Sequence, residues 1–153
     1  MTEIDVNIRE MTVEDIEEVR DLWMGIKGFG IRSIDDSREG VERFIKRNPT
    51  TSIVAIYNEE IIGSILCGYD GRYACMYHVC VNEKYRKHGV GHKMVQACME
   101  ALKKEKVTKI NLLAFQKNDV GNHFWKSQGF SVRDDINYYE YALDIDNVPT
   151  LIS

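Results

Sequence analysis

The sequence predicts a mixed α/β domain in which helices cover both faces of a twisted, mostly antiparallel sheet of about six to seven strands. Short apolar runs alternate as strands do, and longer amphipathic stretches have helical spacing. A strand–helix–strand succession at residues 73–81, 89–104 and 109–115 indicates one parallel β-α-β crossover. The 153 residues fit one domain covering 1–153, and a composition of 44% hydrophobic and 29% charged residues is typical of globular proteins.

The first third of the chain predicts one strand followed by two helices. Residues 6–9 alternate as a strand, and Thr12 with Asp15 has the spacing of a capping box before a helix. Three glycines loosen the end of that helix into a stretch at 27–32, which we expect to be mobile. A second helix is predicted over residues 36–47.

The rest of the chain predicts a meander and then alternating elements. Strands at 52–57, 61–69 and 73–81 are joined by short polar turns, as in an antiparallel meander. A charged loop leads into a long amphipathic helix that ends near Lys104. A strand, a helix and two closing strands complete the chain, at residues 109–115, 118–128, 130–133 and 138–143.

The composition argues against several classes of partner and site. Twenty basic and 24 acidic residues give a net charge of −4, so no nucleic-acid partner is expected. The apolar runs are far shorter than the ~20 residues that cross a bilayer, and the N-terminus lacks a signal-peptide pattern. We therefore expect a cytoplasmic protein without a membrane partner. The four cysteines form no Cys-x-x-Cys pair, which predicts buried free thiols and no metal site.

The most informative segment is the stretch 81–93, VNEKYRKHGVGHK. From Lys84 to Lys93 it contains four Lys or Arg, two His and no acidic residue, although the chain is net acidic. A strand leads into this turn and a helix leaves it, and the first N–H groups of a helix carry partial positive charge without internal partners. Gly89 and Gly91 allow a ligand to approach the backbone closely. The segment therefore predicts a cradle for an anion such as a diphosphate.

Two motifs resemble those of a known enzyme family. Arg86, Gly89 and Gly91 fit the pattern Arg/Gln-x-x-Gly-x-Gly/Ala, whereas the P-loop and dinucleotide patterns fail. This pattern resembles motif A of the GNAT superfamily, the acetyl-CoA-dependent N-acetyltransferases. The stretch 118–130, NDVGNHFWKSQGF, resembles motif B of the same superfamily. The resemblance covers essentially the whole chain and is closest to small bacterial-type acetyltransferases.

The resemblance implies acetyl-CoA as co-substrate, without a metal. The strand before the cradle is expected to contain a β-bulge and to pair with the pantetheine arm, while the cradle binds the pyrophosphate. For Phe124, packing within the core is an equally good interpretation. The implied cofactor-binding residues are Val79, Cys80, Val81, Arg86, Lys87, His88, Gly89, Val90, Gly91, His92, Asn118 and Phe124.

The general base is the first departure from the family pattern. Many members carry a Glu on the motif A strand, but residues 73–81 contain no carboxylate. The base therefore stays unassigned, and the candidates are Asp70 or a water molecule held by Tyr77 or His78. A backbone N–H at the bulge is expected to stabilise the oxyanion.

The general acid is the second departure, because Trp125 occupies the position of the usual Tyr and an indole cannot serve as an acid. Tyr138 or Tyr139 is a candidate replacement, although ordinary sheet packing explains both tyrosines as well. Tyr77 and Tyr138 are our candidate catalytic residues. A thiol is a tolerable leaving group, so loss of the usual acid need not abolish activity.

The leading interpretation is an N-acetyltransferase that acts on a primary amine, small-molecule or peptidyl, by direct attack in a ternary complex. A non-catalytic acyl-CoA-binding module is the alternative, and Cys80 as an acyl-accepting nucleophile is a further option. The resemblance places the acceptor slot at residues 28–36 and 134–141. A homodimer is compatible with the family, in which dimers are common, but the sequence indicates no interface.

Overall fold

The computed structural model describes residues 2–153, which form two sheets flanked by helices. Short 3₁₀ turns at Val13–Asp15 and Glu83–Tyr85 precede α1 and α3. The elements in chain order are β1 (Asn7–Glu10), α1 (Ile16–Met24), β2 (Gly30–Arg32), α2 (Arg38–Arg47), β3 (Ile53–Tyr57), β4 (Glu60–Tyr69), β5 (Tyr73–Val81), α3 (Val90–Lys104), β6 (Lys109–Leu112), α4 (Asp119–Ser127) and β7 (Pro149–Leu151).

The main sheet has the strand order β1-β3-β4-β5-β6 and is antiparallel except for the parallel pair β5–β6. The predicted fold class is therefore confirmed, including the single β-α-β crossover through α3. The seven strands do not share one sheet, however. Five form the main sheet, while β2 and β7 pair antiparallel as a separate two-stranded sheet.

Two apolar clusters sandwich the main sheet. Helices α1 and α2 cover one face, where Trp23 is the largest fully buried side chain. Helix α3 covers the other face with the apolar side that its amphipathic sequence predicts, and Met94, Val95 and Cys98 are completely buried. Helices on both faces follow because β3 and β4 are apolar on both sides, as strands are when both sheet faces are covered. Among residues 2–153, no helix has the length and apolar character needed to cross a membrane.

The two closing strands predicted at 130–133 and 138–143 are wrong, because the structure forms no strand there. Over residues 131–143, no backbone N–H donates to another backbone group of the described chain. The strand-like pattern is present, but a strand forms only where another strand accepts its hydrogen bonds. The chain instead closes at β7, which pairs with β2 inside the stretch 27–32 that the glycines had suggested to be mobile.

An ion pair fixes the start of α1 to the first strand. Arg9 on β1 donates two hydrogen bonds of 2.8 Å to the carboxylate of Asp15, which also accepts 2.8 Å from the backbone N–H of Thr12. Thr12 and Asp15 thus form the predicted capping box. Burial alone would raise the pKa of Asp15, but the hydrogen bonds from Arg9 and Thr12 outweigh it and hold this pKa below its ordinary value.

We expect Asp15→Asn to lower the free energy of unfolding near pH 7 by about 1–2 kcal/mol, because it removes the charge of a capping group. A carboxyl whose pKa is depressed by folding stabilises the fold above its unfolded pKa, and this contribution disappears as the pH falls through the folded-state pKa. The difference between wild type and variant should therefore shrink as the pH falls below about 4. Urea titrations at several pH values measure this, and a pH-independent difference would contradict it.

Candidate active site

A β-bulge interrupts β5 at the position that the resemblance implied. Tyr77 pairs with Leu66 and Cys80 pairs with Ser64, so His78 and Val79 together lie opposite the single residue Ile65. His78 absorbs the extra residue with a φ of 50°, in the left-handed region that side chains other than glycine rarely adopt. The bulge changes which side chains of β5 face each helix layer, and it brings the imidazole of His78 to the α1 side.

One edge of β5 becomes free at the bulge, where the pairing with β6 ends. The parallel pairing begins at Tyr73 with Lys109 and ends at Met76 with Leu112. Strand β6 stops there, so within the described chain the next five residues of β5, 77–81, have no strand partner on that side. Backbone groups on an unpaired strand edge can bind an extended ligand in the way that they would bind another strand.

The cradle predicted after β5 is present. Lys87 and Gly89 have φ values of 65° and 80°, and α3 begins at Val90. In the described part of the chain, the backbone N–H groups of residues 87–92 find no acceptor. Left-handed residues at a helix start direct several N–H groups into one concavity, which favours an anion. Arg86 is turned toward the strand instead, where its Nε donates 3.1 Å to the carbonyl of Val81.

Contacts with neighbouring segments fix the rim of the cradle. The Nδ1 atom of His92 lies 2.7 Å from Oε1 of Gln128 at the end of α4, and the His88 ring contacts the backbone carbonyl of Thr2. Lys93 donates 3.2 Å to the carbonyl of Ile4. These polar side chains hold the N-terminal segment and α4 around the cradle.

Helix α4 closes one side of the cradle. A Cβ added at Gly91 would lie 3.1 Å from the ring of Phe124, so the missing side chain at Gly91 lets the two helices approach. Trp125 packs edge-on between Phe124 and Phe130, with 5.0 Å between ring centroids on each side. The Asn118 side chain accepts 3.0 Å from the N–H of Gly121 and caps α4. Phe124 and Asn118 thus have structural contacts in addition to their implied cofactor role.

A histidine–carboxylate pair lies at the bulge, and the sequence did not predict it. The Nε2 atom of His78 lies 2.7 Å from Oδ1 of Asp36, a residue 42 positions earlier in the chain. Asp36 is only 6% exposed, and its other carboxylate oxygen accepts 2.7 Å from the N–H of Arg32. The carboxylate therefore acts as an acceptor on both oxygens, which places the proton of the imidazole on Nε2.

The imidazole of His78 packs against aromatic rings and stays partly exposed. The His78 ring lies against Trp23 and Phe29, with ring centroids 4.7 and 5.0 Å away. Its side chain is 20% exposed, and Nδ1 has no hydrogen-bond partner in the described residues. A proton acceptor whose second nitrogen is held by a buried carboxylate is the arrangement that general-base histidines use.

A comparison with known proteins identifies the family. The model of the acetyltransferase (GNAT) family matches residues 16–130. The chain belongs to the GNAT acetyltransferase family. An acetyltransferase of Sodalis glossinidius is 28% identical over 131 residues, which cover 86% of this chain and 91% of that protein. An acetyltransferase of Pectobacterium atrosepticum is 29% identical over 114 residues, covering 74% and 79%.

Solved structures share the fold of this GNAT acetyltransferase. The PaiA N-acetyltransferase of Thermoplasma acidophilum in complex with coenzyme A superposes with a TM-score of 0.73 at 19% identity, covering 86% of this chain and 92% of that one. AAC(6′)-Iy in complex with the bisubstrate analogue CoA-S-monomethyl-acetylneamine gives a TM-score of 0.69 at 15% identity, covering 91% and 99%. The family uses acetyl-CoA, and the cradle and slot offer backbone groups that fit a diphosphate and an extended arm.

The two tyrosines named from the sequence, Tyr77 and Tyr138, do not hydrogen-bond to each other in the described residues. Tyr77 is half-exposed and packs edge-on against Phe44. Burial and then a hydrogen bond with Cys75 raise the pKa of Tyr77 above its ordinary value, and Tyr138 is close enough to contribute. Tyr138 itself is 64% exposed, and its hydroxyl donates only to Glu140, at 3.4 Å.

The structure disfavours two other candidates. Asp70 caps the turn between β4 and β5, where backbone N–H groups of Tyr73 and Arg72 hold its pKa below the usual range. Such a carboxylate is a poor base and lies at the far end of β5 from the bulge. Cys80 is buried, with Sγ 3.5 Å from the hydroxyl of Ser64, and burial raises the pKa of its thiol to about 11.

We expect Cys80 to stay unmodified when the folded enzyme is treated with a maleimide at pH 7–8. A pKa of about 11 in place of 9.0 lowers the thiolate fraction about 100-fold, and the side chain is also inaccessible. Mass spectrometry of labelled peptides measures this, with the less buried Cys75 as the internal comparison. Stoichiometric labelling of Cys80 in the folded protein would contradict the buried, protonated thiol.

Proposed function

We propose that this acetyltransferase, with residues 1–153 acting as one domain, transfers the acetyl group of acetyl-CoA to a primary amine by direct attack in a ternary complex. The observation that carries the proposal is that β5 loses its β6 partner after Met76, and that the chain continues from this free edge to the unpaired N–H groups of residues 87–92. An unpaired strand edge next to an anion cradle matches a ligand with an extended amide arm and a diphosphate.

We assign the two parts of acetyl-CoA to the strand edge and to the cradle. The pantetheine arm pairs with the backbone of Val79–Val81, and the pyrophosphate binds the N–H groups of residues 87–92. Lys84 and Lys87 add positive charge near the phosphates, while the acidic neighbours of the segment, Glu3 and Glu83, pair with Lys93 and Arg86. The solved CoA complex of similar fold supports this assignment.

The reaction does not require a strong general acid to protonate the leaving sulfur. The amine nitrogen attacks the thioester carbon, the new C–N bond forms, and the C–S bond breaks as the sulfur leaves with its electron pair as the CoA thiolate. A backbone N–H at the bulge, of Val79 or Cys80, stabilises the oxyanion that forms in between. A thiol with an ordinary pKa of about 8.5 leaves without a strong acid, so Trp125 is compatible with turnover.

We assign the general base to His78, with Asp36 as its positioning residue. The amine must lose a proton before or during attack, and Nδ1 of His78 is the acceptor on the α1 side of the bulge. The loop between α1 and α2 contributes Phe29 and Asp36 around this imidazole, so it also forms part of the acceptor slot. AAC(6′)-Iy, whose complex contains an acetylneamine analogue, supports an amine acceptor.

A panel of primary amines and peptides, assayed for CoA release and for products that gain one acetyl group in mass, tests the proposal. Turnover of at least one amine is the expected result. Clear acetyl-CoA binding without turnover of any amine would overturn it in favour of the non-catalytic acyl-CoA-binding module, and a labelled enzyme without acceptor would indicate a covalent route instead.

We expect Gly89→Ala to weaken CoA binding about tenfold or more, because a side chain at a φ of 80° strains the cradle and displaces its N–H groups. Gly71→Ala is the matched control, since Gly71 has a φ of 97° in the turn between β4 and β5, outside the cradle. Isothermal titration calorimetry measures both dissociation constants. Equal effects of the two substitutions would contradict the cradle assignment.

We expect His78→Asn to lower kcat by about 10²–10⁴-fold with little change in CoA affinity. Asn tolerates the left-handed backbone of this position but supplies no imidazole. Asp36→Asn should lower kcat by a smaller factor, because the imidazole of His78 remains but loses the carboxylate that orients it. His123→Asn, which changes an exposed imidazole on α4, serves as control. A kcat of His78→Asn equal to that of the wild type would exclude His78 as the base.

A further inference from the structure

Ser64 is a polar residue in the middle of an apolar strand. Within the buried run 61–67 of β4, its side chain is the only one that carries an oxygen or nitrogen atom, and it is fully buried. A hydroxyl taken out of water destabilises the fold unless it finds hydrogen-bond partners inside the protein. The residue opposite Ser64 is Cys80, which follows the bulge of β5 directly. Ser64 therefore lies beside the strand segment on which the candidate site depends.

The Ser64 hydroxyl has partners on both sides. The indole N–H of Trp23 on α1 donates 3.1 Å to Oγ of Ser64, and this Oγ atom lies 3.5 Å from Sγ of Cys80. Because the oxygen accepts from the indole, its own hydrogen is free to point to the sulfur, which is a weak acceptor. All three side chains are buried, so water does not compete for these contacts. A chain of hydrogen-bonding groups thus joins α1 to the part of β5 beyond the bulge.

Trp23 also contacts the proposed base. Its ring centroid lies 4.7 Å from that of the His78 imidazole, and its side chain is the largest of those that are fully buried. A buried indole adopts an orientation in which its N–H has an acceptor, and here Ser64 supplies that acceptor. The orientation of the indole determines the surface against which the imidazole packs. Ser64 therefore influences the imidazole, although no hydrogen bond joins the two within the described residues.

The regular register of β5 shows what the chain would lose without the bulge. If β5 continued from Tyr77 without an extra residue, Val79 would lie opposite Ser64, and His78 would turn to the α3 layer. The methyl groups of Val79 offer the hydroxyl no hydrogen-bond partner. The bulged register instead places the thiol of Cys80 opposite the hydroxyl. Ser64 thus favours the register in which the imidazole reaches the α1 side.

We propose that Ser64 is a positioning residue for the reaction: through the indole of Trp23, its hydroxyl holds the imidazole of His78 in the orientation that bonds to Asp36. Asp36 binds one nitrogen of the imidazole, and the rings of Trp23 and Phe29 pack against it. Of these two rings, that of Trp23 is tied by its N–H to β4, the strand that pairs with the bulge. The catalytic part of this proposal rests on the proposed function, because it needs His78 as the base.

We expect Ser64→Ala to lower kcat by about 10–100-fold, because a misaligned base takes up the proton of the amine less efficiently. The dissociation constant of CoA should change by a much smaller factor, since the N–H groups of the cradle lie beyond the end of β5. Thermal unfolding should show that the variant is folded, although less stable than wild type because it loses a buried hydrogen bond.

Ser52→Ala is the matched control for this substitution. Ser52 is also buried, and its hydroxyl accepts 3.0 Å from the backbone N–H of Cys67 instead of from an indole. It should destabilise the fold in the same way and leave kcat close to that of wild type. Equal kcat values for Ser64→Ala and Ser52→Ala, or a loss of CoA affinity in Ser64→Ala as large as its loss of kcat, overturn the proposal.

A double-mutant cycle tests the route through the indole. Trp23→Phe keeps an aromatic ring against the imidazole but lacks the N–H that binds Ser64. If Ser64 acts through Trp23, adding Ser64→Ala to Trp23→Phe lowers kcat no further. Losses that multiply in the double variant show that Ser64 acts by another route, and they overturn the proposal.

The imidazole can also be observed without a substrate, which separates this proposal from the proposed function. In protein with isotopically labelled histidine, nuclear magnetic resonance reports which ring nitrogen of His78 carries the proton, and His78→Asn assigns the signal. We expect the proton on Nε2 in wild type and in Ser52→Ala, and a mixture of both tautomers in Ser64→Ala. A wild-type signal in Ser64→Ala overturns the proposal. A changed signal together with no acetylation of any amine confirms the positioning of His78 and overturns only the proposed function.

Discussion

The structure of the candidate site depends on one extra residue in β5, which forms a β-bulge. The bulge at His78 and Val79 leaves the β4 side of the strand paired, while β6 ends where the bulge begins. Strand β5 therefore pairs with both β4 and β6 over its first half, and has one unpaired edge over its second half. The chain leads from that edge through a short 3₁₀ turn to the start of α3, so the slot and the anion cradle follow each other along the chain.

The bulge also determines which helix layer the proposed base His78 faces. Helix α3 and the cradle belong to one layer, whereas the loop that carries Asp36 belongs to the layer of α1 and α2. Without the register change, His78 would face the α3 side, away from Trp23 and Asp36. The left-handed backbone at His78 is costly for a residue other than glycine, and its ring packing and its bond to a buried carboxylate offset that cost.

Local patterns predicted the parts of the structure that depend on neighbours in sequence. The strand at 73–81, the capping box of Thr12 and Asp15, and the start of α3 after Gly89 follow from spacing and turn chemistry. Two features needed information that a single sequence lacks. The contact between His78 and Asp36 joins residues 42 positions apart, and no local signal marks it. The strand predicted at 138–143 was wrong, because a local alternating pattern does not show whether a neighbouring strand accepts its hydrogen bonds.

The central claim is that the cradle and the open edge of β5 bind acetyl-CoA. Thermal unfolding of the purified protein with acetyl-CoA, CoA, ATP and NAD in parallel tests it most directly. A ligand at 100 times its dissociation constant adds about 2.7 kcal/mol, which raises the melting temperature of a chain of this size by about 5–11 °C. We predict this shift with acetyl-CoA and CoA and a clearly smaller one with ATP or NAD. No shift with either CoA species, or equal shifts with all four ligands, would contradict the account.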